Sequence, residues 1–179
     1  MKYLRKLIWF VVFRLLILCC VLGLVVTSFY YAMNANNIQV VLKDGMAKRA
    51  RLILTGENQE NLTDYFYSSY LNRDPDIKNA QDGLNYYLYY YNITGFDHRL
   101  ELKWVWCWPW EDTATATVVE RIPAIDGKVK SSFRETVKEV GLTSSPPAWK
   151  NVEYSVVLMR ENDRWRVRNM NATKIWDGD

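Results

Sequence analysis

Residues 98–110 read HRLELKWVWCWPW, and here the hydrophobic period of the chain changes to two. Successive side chains of a strand point to opposite faces. Leu100, Leu102, Trp104, Trp106, Trp108 and Trp110 therefore fall on one continuous apolar face, with Arg99, Glu101, Lys103, Val105 and Cys107 on the other. Glu111-Asp112 reads as a turn. Residues 113–122 (TATATVVERI) alternate again, and Ala114 and Ala116 are small enough to lie opposite the Trp rings of a neighbouring strand. Asp126-Gly127 is a hairpin signal. It leads into a third alternating stretch over 128–140, in which Val129, Phe133 and Val137 oppose Lys130, Arg134 and Lys138. Residues 152–160, a Glu161-Asn162-Asp163 turn and residues 164–168 form a closing hairpin.

Upstream the period is helical. Ile38, Val41, Leu42, Met46, Arg49/Ala50 and Ile53 recur at helical spacing over 36–56, and Gly56 is a stop. A second helix is expected over 60–71, where Leu62, Phe66 and Tyr70 recur every four residues and Asn61 or Asn58 offers a cap. Residues 72–76 (NRDPD) form a turn by composition. Residues 77–92 (IKNAQDGLNYYLYYYN) suit a short helix or a strand, and we read helix to about 89. Helices gathered first and antiparallel strands after them predict an α+β body of about three helices packed on a curved antiparallel sheet of four to five strands.

Before the body, residues 15–33 (LLILCCVLGLVVTSFYYAM) carry no charge. Nineteen residues at helical rise span a hydrocarbon core of about 30 Å. Lys2, Arg5, Lys6 and Arg14 precede the run and neutral Asn34, Asn36 and Asn37 follow it, so the positive-inside rule places a tail at 1–14 in the cytoplasm. The body, 34–179, is then expected outside a single-pass cell-membrane helix. Phe29, Tyr30 and Tyr31 fit an outer aromatic belt, and Trp9 an inner one. No small-x-small cleavage site follows the run, which argues for an uncleaved anchor over a signal peptide. Cys19 and Cys20 are apolar residues of the span or acylation sites. Cys107 is left alone outside, so there is no disulfide framework.

The anchor also explains the charge. The chain holds 23 basic and 20 acidic residues in 179, and four of the basic ones lie before residue 34, leaving 19 against 20 in the body. A nucleic-acid footprint requires clustered Lys and Arg in the folded domain, so no nucleic-acid partner is expected. The bilayer is the expected partner of the N-terminal helix, with other membrane or envelope proteins, or further copies of the chain, as partners of the body.

The order of elements, closing on YSVVLMRENDRWRVRNM at 154–170, resembles the nuclear transport factor 2-like superfamily, the cone of the ketosteroid isomerase type. Tyr154, Val156, Leu158, Trp165 and Val167 stand where that family's last hairpin has an aromatic, two apolar residues, a Trp and an apolar residue. The resemblance covers about residues 36–171. With a preceding membrane helix the layout is similar to the bitopic scaffold subunits of type IV secretion and conjugative transfer. It implies a cone-shaped extracytoplasmic domain, and no signature motif transfers individual residues. Such a cone hosts enzymes, ligand binders and scaffolds alike.

In the isomerase-type members a carboxylate base sits in the cone. Asp97 and Glu120 are the candidate cavity carboxylates, and Glu120 shares a strand face with Ala116, Val118 and Ile122. The alternative for Glu120 is solvent or a pair with Arg121 or Arg134. His98 is the only histidine, nine residues from Cys107 and of opposite parity, which argues against a nucleophilic triad. One His and one scattered Cys fall short of a metal set, and the single Gly residues make no phosphate loop, so no metal and no cofactor is expected. Of 26 aromatic residues eight are Trp. Four of these make the ladder of Trp104, Trp106, Trp108 and Trp110, with Pro109 at its end. The ladder reads either as a core face or, at its outer part, as an exposed patch for a partner, a membrane surface or an apolar ligand. The Arg-rich closing hairpin reads as a solvated face, and Asn61, Asn92 and Asn171 stand in Asn-x-Ser/Thr sequons. The reading is a non-enzymatic single-pass scaffold of an envelope machine for secretion, conjugation or sporulation, with a small apolar ligand-binding or isomerase-like domain as the alternative.

Overall fold

A computed structural model describes residues 2–57, 61–135, 141 and 143–177. The uncharged apolar segment and the first body helix are one element. Helix α1, Lys2–Thr55, runs unbroken for 54 residues, about 81 Å at 1.5 Å per residue. Its length and apolar composition are enough to cross a membrane. The described side chains before Thr27 are exposed all round, whereas from Tyr31 onward a stripe is covered: Asn34, Ile38, Leu42, Met46, Arg49 and Ile53. That stripe has the helical period, and it packs on a sheet. Gly56, at φ +70° with its N–H bonded to Leu52 O at 3.0 Å, ends the helix in the left-handed conformation that a glycine adopts without strain. The neutral Asn34, Ala35, Asn36 and Asn37, which mark a boundary in the sequence, lie inside the helix.

The expected helix over 60–71 is broken. A 3-10 turn, Leu62–Asp64, and a single-turn helix α2, Ser68–Leu71, flank an extended piece. There Tyr67 N–H donates to Val167 O and Val167 N–H to Tyr65 O, so a parallel bridge to the last strand takes the backbone groups that a helix would have used. Gly45 allows this segment to lie close to α1, since a Cβ there would stand 2.9 Å from that of Tyr65. Asn61 precedes the turn but makes no side-chain cap. The expected turn at 72–76 instead opens helix α3, Pro75–Gln81, capped by Asp74 with Pro in the first turn. Gly83 at φ +70° separates it from helix α4, Tyr86–Tyr90, which Asn85 caps.

Among the described residues six strands follow: β1 Tyr91–Phe96, β2 Arg99–Cys107, β3 Thr113–Arg121, β4 Ile125–Val129, β5 Asn151–Glu161 and β6 Arg164–Trp176. They form two antiparallel sheets, β2-β3-β5-β6 and the small pair β1-β4. The body is thus α+β, with the four-stranded sheet packed on the second half of α1. Asp126-Gly127 is no hairpin turn. Both residues lie within β4, where a Cβ on Gly127 would come within 2.8 Å of Asn92 O, so glycine is needed for the close pairing. The third strand ends at Val129 and a 3-10 turn, Ser131–Phe133, follows; 136–140 lie outside the described residues. The closing hairpin forms as read, turning through Asn162 and Asp163 at φ 50° and 59°, and β6 extends to Trp176.

The Trp strand departs from simple alternation. Leu102 pairs with Val118 but Trp104 pairs with Thr117, so one extra residue sits in β2 around Lys103. This bulge reverses the parity of the rest of the strand. Leu100, Leu102, Val105 and Cys107 pack toward the core, whereas Trp104 and Trp106 face outward opposite Thr117 and Thr115. The continuous apolar face expected from Leu100 to Trp110 therefore does not exist, and Ala114 and Ala116 lie opposite Cys107 and Val105, not opposite the rings.

Candidate functional site

The core that α1 and the sheet enclose contains an ionic cluster. Arg49 lies on the apolar stripe of α1 and is 2% exposed. Its Nε donates to Asp74 Oδ2 at 2.7 Å, and its Nη2 to Asp74 Oδ1 at 3.2 Å and Asp76 Oδ2 at 2.9 Å. Asp74 Oδ2 also accepts from the Tyr70 hydroxyl at 2.7 Å, and Oδ1 from the backbone N–H of Asp76 and Ile77. Burial alone would push the Asp74 carboxyl up, but the Arg49 charge and hydrogen bonds from Arg49, Tyr70 and Ile77 hold it below the ordinary carboxylate range. Burial pushes the Tyr70 and Tyr154 hydroxyls well above the usual phenol value, so both stay neutral. One carboxylate thus joins the cap of α3 to the last turns of α1, at the level where α2 ends.

Beside this cluster a cleft of about 680 Å³ opens between α1, α3, α4 and the outer pair of strands, β5 and β6. Arg49, Tyr70, Asp74, Tyr86, Tyr87, Trp149 and Tyr154 line it, with Met170 and Ile175. Trp104 and Trp106 do not enter it. Asp74 is its buried carboxylate, yet both oxygens are engaged by Arg49, Tyr70 and the α3 backbone and are held ionised, so the group is a structural anion and not a base free to take a proton.

The two expected cavity carboxylates lie outside that lining. Glu120 is fully buried on β3, as its parity implied, with Oε1 3.0 Å from His98 Nε2. Neither Arg121 nor Arg134 is its partner; Arg121 reaches Glu101 on the other face of the sheet. Glu120 Oε2 and Arg49 Nη1 are buried atoms that make no hydrogen bond to the described protein, and the two side chains interact electrostatically across the core. Asp97 is at the surface between β1 and β2, paired with Arg99 at 2.6 Å.

The four Trp of the ladder form one array. Trp104 and Trp106 stack at 6.3 Å between centroids, Trp106 and Trp108 meet edge to face at 5.3 Å, and Trp108 and Trp110 stack at 5.0 Å. Trp104, Trp106 and Trp110 are 51%, 46% and 68% exposed, which removes the core reading for them. Pro109 lies just beyond the end of β2. Tyr31 of α1 closes the near edge of this strand: its hydroxyl donates to Val105 O at 2.8 Å, and its ring meets Trp106 at 6.5 Å. Cys107 is buried beside it, and burial pushes its thiol up. Among the described residues no group of three or more His, Cys, Asp or Glu gathers as a metal site. Asn61, Asn92 and Asn171 are all exposed.

No protein-family model, characterised protein or solved structure matches the chain.

The Arg49 cluster is the feature that sequence reasoning missed. Two signals were present: an arginine on an otherwise apolar helical stripe, and Asp74-Pro75-Asp76, a cap followed by a first-turn proline.

Proposed function

We propose that the chain is a non-enzymatic single-pass membrane scaffold, with residues 1–14 in the cytoplasm and an extracytoplasmic domain that binds other subunits of an envelope machine for secretion, conjugation or sporulation. The observation that carries this reading is the unbroken α1. Its exposed apolar half and the helix that organises the body core are one rod, so the body has a fixed height and orientation relative to the apolar segment. A signal sequence or flexible tether has no need of that rigidity. The basic residues before the span and the neutral ones after it supply the orientation. The order of helices and strands supports a nuclear transport factor 2-like cone, as in bitopic scaffold subunits of secretion and conjugation machines. Crosslinking in native membranes tests the scaffold role. Discrete adducts with other envelope proteins, or with further copies of the chain, are expected; recovery of the isolated monomer alone would overturn it.

The open cleft favours one second reading, a domain that binds a small, mainly apolar ligand. Five aromatic rings line it and the Trp ladder leaves it free. An isomerase-like activity has less support, because Asp74 is fully engaged and Glu120 and Asp97 are elsewhere. Native mass spectrometry of the full chain released from its own membranes tests the ligand reading. A bound small molecule lost in Tyr87→Ala would support it, and a ligand-free spectrum would remove it.

A further inference from the structure

Helix α1 and strand β2 run antiparallel. Lys48 and Arg51 border one hollow with Phe96 and His98, which directly precede β2, whereas Tyr31 touches Val105 and Trp106. From Arg49 to Tyr31 the helix descends about 27 Å. From Leu100 to Cys107 the strand descends about 23 Å, so the two travel together toward the apolar segment. Trp108, Pro109 and Trp110 follow Cys107 in the turn that joins β2 to β3, at that same end of the sheet. Tyr31 is also the residue at which α1 changes from exposed all round to striped, and Phe29 and Tyr30 directly precede it. The Trp array is therefore continuous with the aromatic end of the uncharged helix segment and lies at its level.

Tyr and Trp concentrate where a bilayer meets water, because each ring has an apolar body and one polar N–H or O–H. We infer that Trp104, Trp106, Trp108 and Trp110 seat in the lipid headgroup region of the bilayer that α1 crosses, giving the body a second point of contact with the same membrane. The inference rests on the reading of α1 as a membrane span. It names lipid as the occupant because the array meets α1 at Tyr31, next to a helix surface that must itself face lipid, and because two arginines at that end of the sheet are already paired, Arg160 with Asp112 and Arg166 with Glu161. The bulge at Lys103 is what turns Trp104 and Trp106 outward to this position. A second contact prevents the rod from tilting freely and fixes which side of the body faces away from the membrane.

The test uses the full chain carrying Trp9→Phe, reconstituted in phosphatidylcholine vesicles whose acyl chains are brominated either near the headgroup or near the chain end. Shallow bromine is expected to quench tryptophan emission more than deep bromine, and Trp108→Ala/Trp110→Ala to lose most of that quenching while circular dichroism is unchanged. Emission equal in brominated and ordinary lipid would overturn the inference, as would photo-crosslinks from position 110 that reach a second copy and no lipid. Alkaline carbonate extraction of the same vesicles separates the two levels. Protein retained without quenching refutes only the Trp contact; protein washed off refutes the span and the contact with it.

Discussion

Asp74 offers the sharpest test of what holds the body together. Asp74→Asn keeps an oxygen for the α3 cap, since Asn caps about as well as Asp, but removes the charge that compensates buried Arg49. Breaking one side of a buried pair costs about 3–5 kcal/mol, because the remaining ion stays desolvated. The exposed Asp76 still reaches Arg49, which places Asp74→Asn near the lower end, at about 3 kcal/mol. Asp74→Ala also loses the cap and costs about 1 kcal/mol more. For a body of this size 3 kcal/mol lowers the melting temperature by roughly 6–12 °C. Thermal unfolding of the full chain in detergent micelles, followed by near-ultraviolet circular dichroism, measures this. The folded-state pKa of Asp74 is depressed below its ordinary value of 3.8, so its contribution is complete above that value and is lost as pH falls through the lower, folded-state one. Wild type should therefore lose stability in that acid window and Asp74→Asn should lose less. Arg49→Met/Asp74→Asn removes both charges and should recover part of the loss. An Asp74→Asn variant that melts with wild type, or a double variant no better than the single, would refute the reasoning.

Three further outcomes follow from the backbone. Because of the bulge, Trp106→Ser should cost clearly less than Cys107→Asp, which should cost several kcal/mol since it buries an unpaired polar group; thermal melts in micelles decide, and the opposite order would mean unbroken alternation. Gly127→Ala should cost roughly 1–3 kcal/mol, read by the same melts, because its methyl meets Asn92 O and Ile93 Cα. Asn36→Pro, at an exposed position within α1, should cost about 3 kcal/mol or more. A flexible joint between span and body would absorb that proline with no change in the melt.

The helical stripe of α1 is legible because its period repeats over about four turns from Ile38 to Ile53, and the closing hairpin is legible because Asn162-Asp163 suits two left-handed residues. The junction at 34–37 is not. Short polar residues read as a boundary there, yet a helix already formed on both sides continues through them at small cost. The bulge has no signature beyond the change from Arg99, Glu101 and Lys103 to Val105 and Cys107 on one face, and a single extra residue reverses every later assignment. The piece at 65–67 has helical periodicity that a non-local bridge to Val167 overrides. For the site, Glu120 was legible as a buried acid from parity, and the Trp ladder as a candidate surface from composition. The partner of Arg49 was not, because Asp74 reaches it only through the fold.

The account stands on α1 being one helix from the apolar segment to the core. Hydrogen exchange of the full chain in lipid nanodiscs, resolved over residues 28–42, tests it most directly. The continuous helix predicts slow exchange at every amide through Asn34, Ala35, Asn36 and Asn37, with no step between the apolar segment and the body; fast exchange confined to those four amides would show two helices joined by a hinge and contradict it.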